Sequence, residues 1–369
     1  MPILGAGVNL CDRPEDFKWQ GSEEKYLLSG LELARELAHK FEYLEAARVC
    51  TAPVEICVRR QPGLDLARIS EYADLTQGTG ELYEKFHFLF AREFPPTKVH
   101  EFLAGLPSAT PDPKRPENCI LLIVATNYDD VMERALASVR SCDVLFYDPD
   151  EKPSRFWHRK PDGTTVKIVD PTTYDYSFFD ERPVVLKIHG TIDRSNQGRE
   201  GYVITEDHYI EYLAEEALEK LLPKDFLIKL RNNHRLFLGY RLRDWSLRVF
   251  LRRLKRNPKQ AHKAWAVLPY ADAVEEQFWQ RQEVGIIKGN SQNLHRQPGE
   301  GTRRPQRKFG CGARRRQQQC KLPSNAEVWQ CLENVPTKAS CRTVRRTPDT
   351  SVGVTGSAAL FRRRSALPD

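Results

Sequence analysis

Apolar positions along the 369-residue chain fall into two rhythms that alternate. Short continuous runs read as buried strands: "PILGAGV" at the start, "LLIVAT" ending at Thr126, "DVLFY" ending at Tyr147, "VVLKIHG" ending at Gly190, "YVIT", "LFLGY" ending at Tyr240, "KAWAVLP" and "VGII". Between them, apolar residues recur at three- and four-residue spacing. That spacing predicts helices over 23–49, 64–75, 80–94, from Asp129 or Asp130 onward, 206–222, 244–254 and 272–282. "VHEFLAGLP" is expected to be a short helix closed by Gly-Leu-Pro. Residues 151–181 are rich in Pro, Asp and Thr, and "WHRKPDGTTVKIVD" predicts a hairpin turning at Asp162-Gly163. Strands alternating with helices predict an α/β fold: a doubly wound, mostly parallel, Rossmann-like sheet with flanking helices. The early helices form either a separate cap or a layer on that sheet.

Charge changes the picture in one place. The net charge of +7 suggests nucleic acid until the chain is divided at Ile287. From Lys288 onward there are 17 basic and 5 acidic side chains, and the other 40 basic and 45 acidic ones leave the body at −5. The expected organisation is therefore a folded domain over 1–287 and a basic, largely disordered tail over 288–369, too poor in apolar residues to offset its chain entropy. The tail reads either as an Arg-rich arm or as sequence that is not native. Nucleic acid is expected to bind, if at all, only through it.

Nine cysteines include no CxxC pair, so no zinc site is expected, and buried free thiols are expected at Cys11, Cys119 and Cys142. No signal peptide or long apolar run occurs; a cytoplasmic protein without a membrane partner is expected.

In doubly wound sheets, ligands bind in the crevice outside the C-terminal strand ends. Those ends here offer Gly5-Ala6-Gly7, Thr126-Asn127-Tyr128-Asp129, His189-Gly190 and Gly239-Tyr240, with Asp244 a few residues on. Each signal has a plain alternative. Gly-Ala-Gly also makes ordinary tight turns, and Asp12 and Arg13 stand where a dinucleotide fingerprint has its third glycine. Asn127 also suits a helix N-cap, and a lone His189 suits a structural histidine.

Taken in order, "GAG", "TNYD", "KIHG" and "LGYRLRDWSLRVF" resemble the sirtuin superfamily, and within it the sirtuin-like NAD-hydrolase domains of bacterial anti-phage defence proteins. The resemblance spans about residues 2–287. It implies that NAD is the substrate and that Asn127 and His189 are catalytic, Asn127 positioning the nicotinamide ribose and a water. It implies that the N–H groups of Gly5, Ala6 and Gly7 face the pyrophosphate and that Asp129 meets the nicotinamide carboxamide. Thr126 and Gly190 flank the site, and Gly239, Tyr240 and Asp244 lie along the adenosine side. The chain departs from the deacylating sirtuins in having no paired-cysteine zinc module, Lys18 after Asp16-Phe17 where they carry arginine, and Arg241 where relatives have serine. The implied activity is an NAD glycohydrolase that depletes NAD in defence. The alternatives are an NAD-dependent protein deacylase and a non-catalytic sensor module for NAD or ADP-ribose. An effector or sensor protein and a second copy of the chain are the further partners left open.

Overall fold

A computed structural model describes residues 1–14, 16–21, 25–43, 64–109, 121–151, 155–214, 221–222, 224–240, 263–268 and 273–288. The expected helix over 244–254 and the tail beyond Lys288 lie outside these residues. So do Cys50, Cys57, Cys119 and Asp244.

The central feature is a nine-stranded sheet in the order β11-β10-β9-β1-β2-β6-β3-β4-β5. Its strands are β1 (Pro2–Leu4), β2 (Leu122–Ala125), β3 (Asp143–Asp148), β4 (Arg155–Arg159), β5 (Thr165–Lys167), β6 (Val184–Lys187), β9 (Arg235–Leu238), β10 (Ala264–Leu268) and β11 (Val284–Lys288). The seven strands from β11 to β3 run parallel; only the β4–β5 edge is antiparallel, and it is the hairpin expected around Gly163. The expected α/β, Rossmann-like architecture is therefore observed.

The short apolar runs are buried on both faces, and alternate residues serve different layers. Ile3, Val124, Leu186 and Phe237 pack with one set of helical residues: Tyr212 on α6 (Glu206–Ala214), Phe226 and Leu230 on α7 (Lys224–Asn232), and Trp279 on α8 (Ala273–Arg281). Leu4, Ile123, Val185 and Leu238 face the other set. These are Val99 and Leu103 on α4 (Lys98–Ala109), and Met132 and Leu136 on α5 (Val131–Ala137).

The early helices pack around a core of their own within the same compact unit as the sheet. The helices α1 (Gly30–Lys40), α2 (Leu66–Gln77) and α3 (Thr79–Phe90) bury Leu33, Leu37, Ile69, Leu82 and Phe86 in a core of their own. That core touches the sheet domain through Val131, Ile192, Tyr202 and Ile204.

Four expectations change. First, the long helix expected from residue 23 begins at Gly30, because Ser29 and Glu32 form a reciprocal capping box. It ends at Lys40, with Glu42 just beyond it at φ 55. Second, α4 runs through Gly105 and Pro107 to Ala109, where a stop had been expected. Burial of Val99, Leu103 and Ala104 outweighs the local cost of the glycine. Third, "YVIT" does not join the main sheet. Only Gly201–Tyr202 (β8) is extended, paired antiparallel with Gly190–Thr191 (β7) in a separate ribbon. Fourth, α7 was not anticipated.

Candidate active site

Strand register fixes which residues meet. Leu4 pairs with both Ala125 and Leu238, and Ala125 pairs with Lys187. One further rung follows, with Gly5 N–H donating to Leu238 O (2.9 Å), Thr126 N–H to Leu4 O (3.0 Å) and Ile188 N–H to Ala125 O (3.0 Å). The chain crosses from β6 and β3 on one side of β1 to β9 on the other, which makes the C-terminal ends of β9, β1, β2 and β6 the topological switch point. Asn127 and His189 are each the second residue past the Ala125–Lys187 pair. They leave adjacent parallel strands at one height, and both are buried.

The Oδ1 atom of Asn127 is buried without a hydrogen-bond partner. A buried amide oxygen left open costs free energy unless a ligand or water completes it. Asn127 does not cap α5; Asp130 occupies that position. The His189 carbonyl accepts from Val203 N–H (3.0 Å), and its ring stands edge-on to Tyr209 and Tyr212 of α6, with centroids 6.0 and 6.1 Å away.

The glycines have a structural duty that the motif did not disclose. A Cβ on Gly5 would lie 2.8 Å from Gly239 O, and one on Gly7 2.7 Å from the same oxygen. Gly239 itself sits at φ 70, where a Cβ would stand 2.4 Å from Val8 N. The first turn and the β9 turn thus interlock backbone to backbone. The N–H groups of Gly5 and Gly7 donate to Leu238 O and Gly239 O, so neither faces a phosphate here. What this turn offers a ligand is close approach at exposed Ala6. Tyr240 is buried, and its hydroxyl donates to Leu4 O (3.0 Å) while lying 3.0 Å from Thr126 Oγ1. These two side chains tie the strand ends together. Gly190, at φ 82, leaves no room for a side chain, since its Cβ would fall 1.7 Å from Gly201 O.

A buried polar network missed by the sequence reading lies on the α4–α5 side. Asp129 Oδ1 accepts from Val131 N–H (3.0 Å) and Oδ2 from Asn9 Nδ2 (2.7 Å). Lys187, 1 % exposed, donates to the Asp129 carbonyl, and its Nζ lies 3.1 Å from Glu133 Oε1. Burial raises the Glu133 carboxyl pKa, against the opposing charge of Lys187. His100 Nδ1 accepts from Thr97 N–H (3.2 Å), and burial lowers the imidazole to about 4 despite Asp129 nearby. His100 is therefore neutral at pH 7. The one available signal was a charged residue, Lys187, ending an otherwise apolar strand.

In front of this network opens a cleft of about 190 Å³, lined by Asn9, Asp12, Tyr26, Leu27, Phe94, Thr97 and Val131 among others. Ion pairs fix residues next in sequence to, or bonded to, those lining it. Arg13 bridges both oxygens of Glu32, whose carboxyl falls to about 2 because hydrogen bonds from Arg13 and Ser29 outweigh burial. Arg194 grips both oxygens of Asp130 and donates to the carbonyls of Ala91 and Arg92, while Arg134 reaches Phe94 O (2.7 Å). Burial pushes the Asp130 carboxyl up, but the two arginines hold it below its ordinary value.

Cys11 and Cys142 are buried and in no disulfide, and burial raises the Cys142 thiol to about 12. Among the described residues no three or more His, Cys, Asp or Glu side chains cluster as metal ligands, and no helix is long and apolar enough to cross a membrane.

Of the residues singled out from sequence, Gly5, Thr126, Asn127, Asp129, His189, Gly190, Gly239 and Tyr240 come together at the switch point. No curated protein matches the chain. Residues 121–287, from β2 through β11, match the family model described as a SIR2-like domain, and this supports placing the chain in the sirtuin-like superfamily.

Proposed function

We propose that the chain is an NAD glycohydrolase, cleaving NAD to nicotinamide and ADP-ribose. One observation carries the reading: Asn127 and His189 stand at the same height on adjacent strand ends, and the buried Asn127 Oδ1 has no protein partner. The match to a SIR2-like domain, which suggests use of NAD, adds to it.

The chemistry asks little of the protein beyond placement. Nicotinamide is cationic in NAD and leaves neutral, so the glycosidic bond breaks without a strong acid. The site must hold the ribose, stabilise an oxocarbenium-like centre and admit one water. Asn127 Oδ1 accepts from a ribose hydroxyl or that water, and the His189 imidazole takes the proton as water attacks. The turns at Gly5-Ala6-Gly7, Thr126 and Gly239-Tyr240 lie where the dinucleotide crosses the switch point, and Gly190 sets the path behind His189. Asp244 is assigned to the adenosine side by motif alone. Depletion of NAD in the cytoplasm during anti-phage defence is the setting that the motif resemblance implies.

The experiment is nicotinamide release from NAD by the chain and by Asn127→Ala, with and without an acetylated peptide. Release without peptide that Asn127→Ala abolishes is expected. Release only with peptide would make the chain a deacylase, and NAD binding without release would make it a sensor module.

A further inference from the structure

The two strand ends that carry Asn127 and His189 are stitched together by a third residue. Tyr128 follows Asn127 directly, and its ring packs against the core of the early helices. There it lies edge-on to Phe86 and Phe90 of α3 and to Tyr202 of β8, with centroids 5.5, 5.8 and 5.5 Å away. Its polar groups grip the β7–β8 ribbon that follows His189. The Tyr128 carbonyl accepts from Ile192 N–H (3.0 Å) and from Thr191 Oγ1 (3.3 Å). The hydroxyl donates to Val203 O (2.9 Å), and Val203 N–H in turn donates to His189 O (3.0 Å). Tyr128 therefore holds both the segment that leaves His189 and the residue that returns to it.

The stitch is short and firmly placed. Val203 is fully buried, so its carbonyl is satisfied by the tyrosine hydroxyl rather than by solvent. Gly190, at φ 82, turns the chain sharply between His189 and Thr191, so a shift of the ribbon reaches His189 across one residue. Two rings of α3 fix the phenol that makes the contact.

We infer that Tyr128 is a positioning residue for the proposed reaction, setting His189 against Asn127 through its hydroxyl and Val203. This rests on the NAD-cleaving reading. A phenylalanine at this position keeps the ring contacts and the backbone carbonyl but loses the bond to Val203.

The test compares Tyr128→Phe with Tyr83→Phe in the full chain. Tyr83 stands edge-on to the same Tyr202 ring (4.9 Å), and its hydroxyl bonds Asp150 Oδ2 (2.8 Å) and Tyr202 N–H (3.4 Å), not Val203 or His189. Each variant removes one hydroxyl from the same aromatic cluster, and similar losses of melting temperature are expected. Only Tyr128→Phe should lower kcat for nicotinamide release, about tenfold, with KM for NAD held within about twofold. Amide exchange gives a readout that needs no catalysis. Val203 N–H should exchange about tenfold faster in Tyr128→Phe and at the parent rate in Tyr83→Phe. Unchanged Val203 exchange in Tyr128→Phe, equal kcat losses in the two variants, or a change in KM alone would overturn the assignment. A parent chain that releases no nicotinamide would remove the hydrolase instead. Val203 exchange would then decide the stitch by itself, faster exchange keeping it and unchanged exchange ending it.

Discussion

Lys187→Met tests the buried network behind the site. The side chain is 1 % exposed and has two duties, donating to the Asp129 carbonyl and facing Glu133 Oε1 at 3.1 Å. Removing it leaves a buried carbonyl and a buried carboxylate without a cation. Breaking a buried pair from one side costs about 3–5 kcal/mol, a large part of a typical stability of about 5–15 kcal/mol. Removing both charges is different, because apolar replacement of a whole buried pair is often near neutral. The double variant Lys187→Met/Glu133→Leu should therefore be more stable than Lys187→Met alone by about 2 kcal/mol. Denaturant unfolding measures this as a shift in midpoint at constant slope. The pH dependence supplies a second readout. Burial already raises the Glu133 pKa, and loss of the lysine raises it further. A folded state that holds a proton more tightly than the unfolded chain gains stability as pH falls. Lys187→Met should then recover part of its loss, relative to the parent, as pH falls toward the ordinary glutamate value of 4.5. If the two single-variant losses simply add in the double variant, within about 0.5 kcal/mol, the pair is not coupled and the reasoning fails.

Four further outcomes follow from the same geometry. Asn127→Ala should lower nicotinamide release by about 10²–10³-fold while leaving the melting temperature within a few degrees, since its Oδ1 has no protein partner to lose. Gly190→Ala should destabilise by more than the roughly 1–3 kcal/mol of a strained φ, because its Cβ would lie 1.7 Å from Gly201 O; thermal melting by circular dichroism reads the loss. Ser29→Ala should cost about 1 kcal/mol in denaturant unfolding by removing the α1 capping box. The Glu32 pKa is lowered from 4.5 to about 2, so its contribution is complete above pH 4.5 and drains as pH falls toward 2. Unfolding measured across that window should be less acid-sensitive in Arg13→Leu, where the bridging guanidinium is gone.

The sheet was legible because parallel strands buried on both faces leave unbroken apolar runs, as in Leu122–Ala125 and Val184–Lys187. The hairpin at Gly163 was legible because Asp-Gly has its own turn chemistry. Helix ends were less so. The Ser29–Glu32 box lay inside a longer periodic stretch that hid it, and Gly105-Leu106-Pro107 looked like a stop that packing overrode. The fate of "YVIT" could not be read locally, because it depends on the turn at Gly190, which takes the chain out of the main sheet into a ribbon with Gly201. The polar network was invisible for a related reason. Asn9, His100, Asp129 with Glu133, and Lys187 come from four places in the sequence, and only the α4–α5 layer over the β1–β2–β6 face brings them together.

The interlocked glycines change which part of the motif carries functional information. Gly5, Gly7 and Gly239 are required by two turns whose backbones touch, and two of the expected phosphate-facing N–H groups are spent on that contact. Any protein closing these strand ends so tightly needs those glycines, whatever it binds. Asn127 and Asn9 are different. Each leaves a buried amide oxygen open at the mouth of the sheet, a cost that folding alone gives no reason to keep. Replacing a glycine should therefore unfold the chain before it reports on chemistry. Replacing Asn127 should alter rate in a protein that still folds, and that contrast separates scaffold from site.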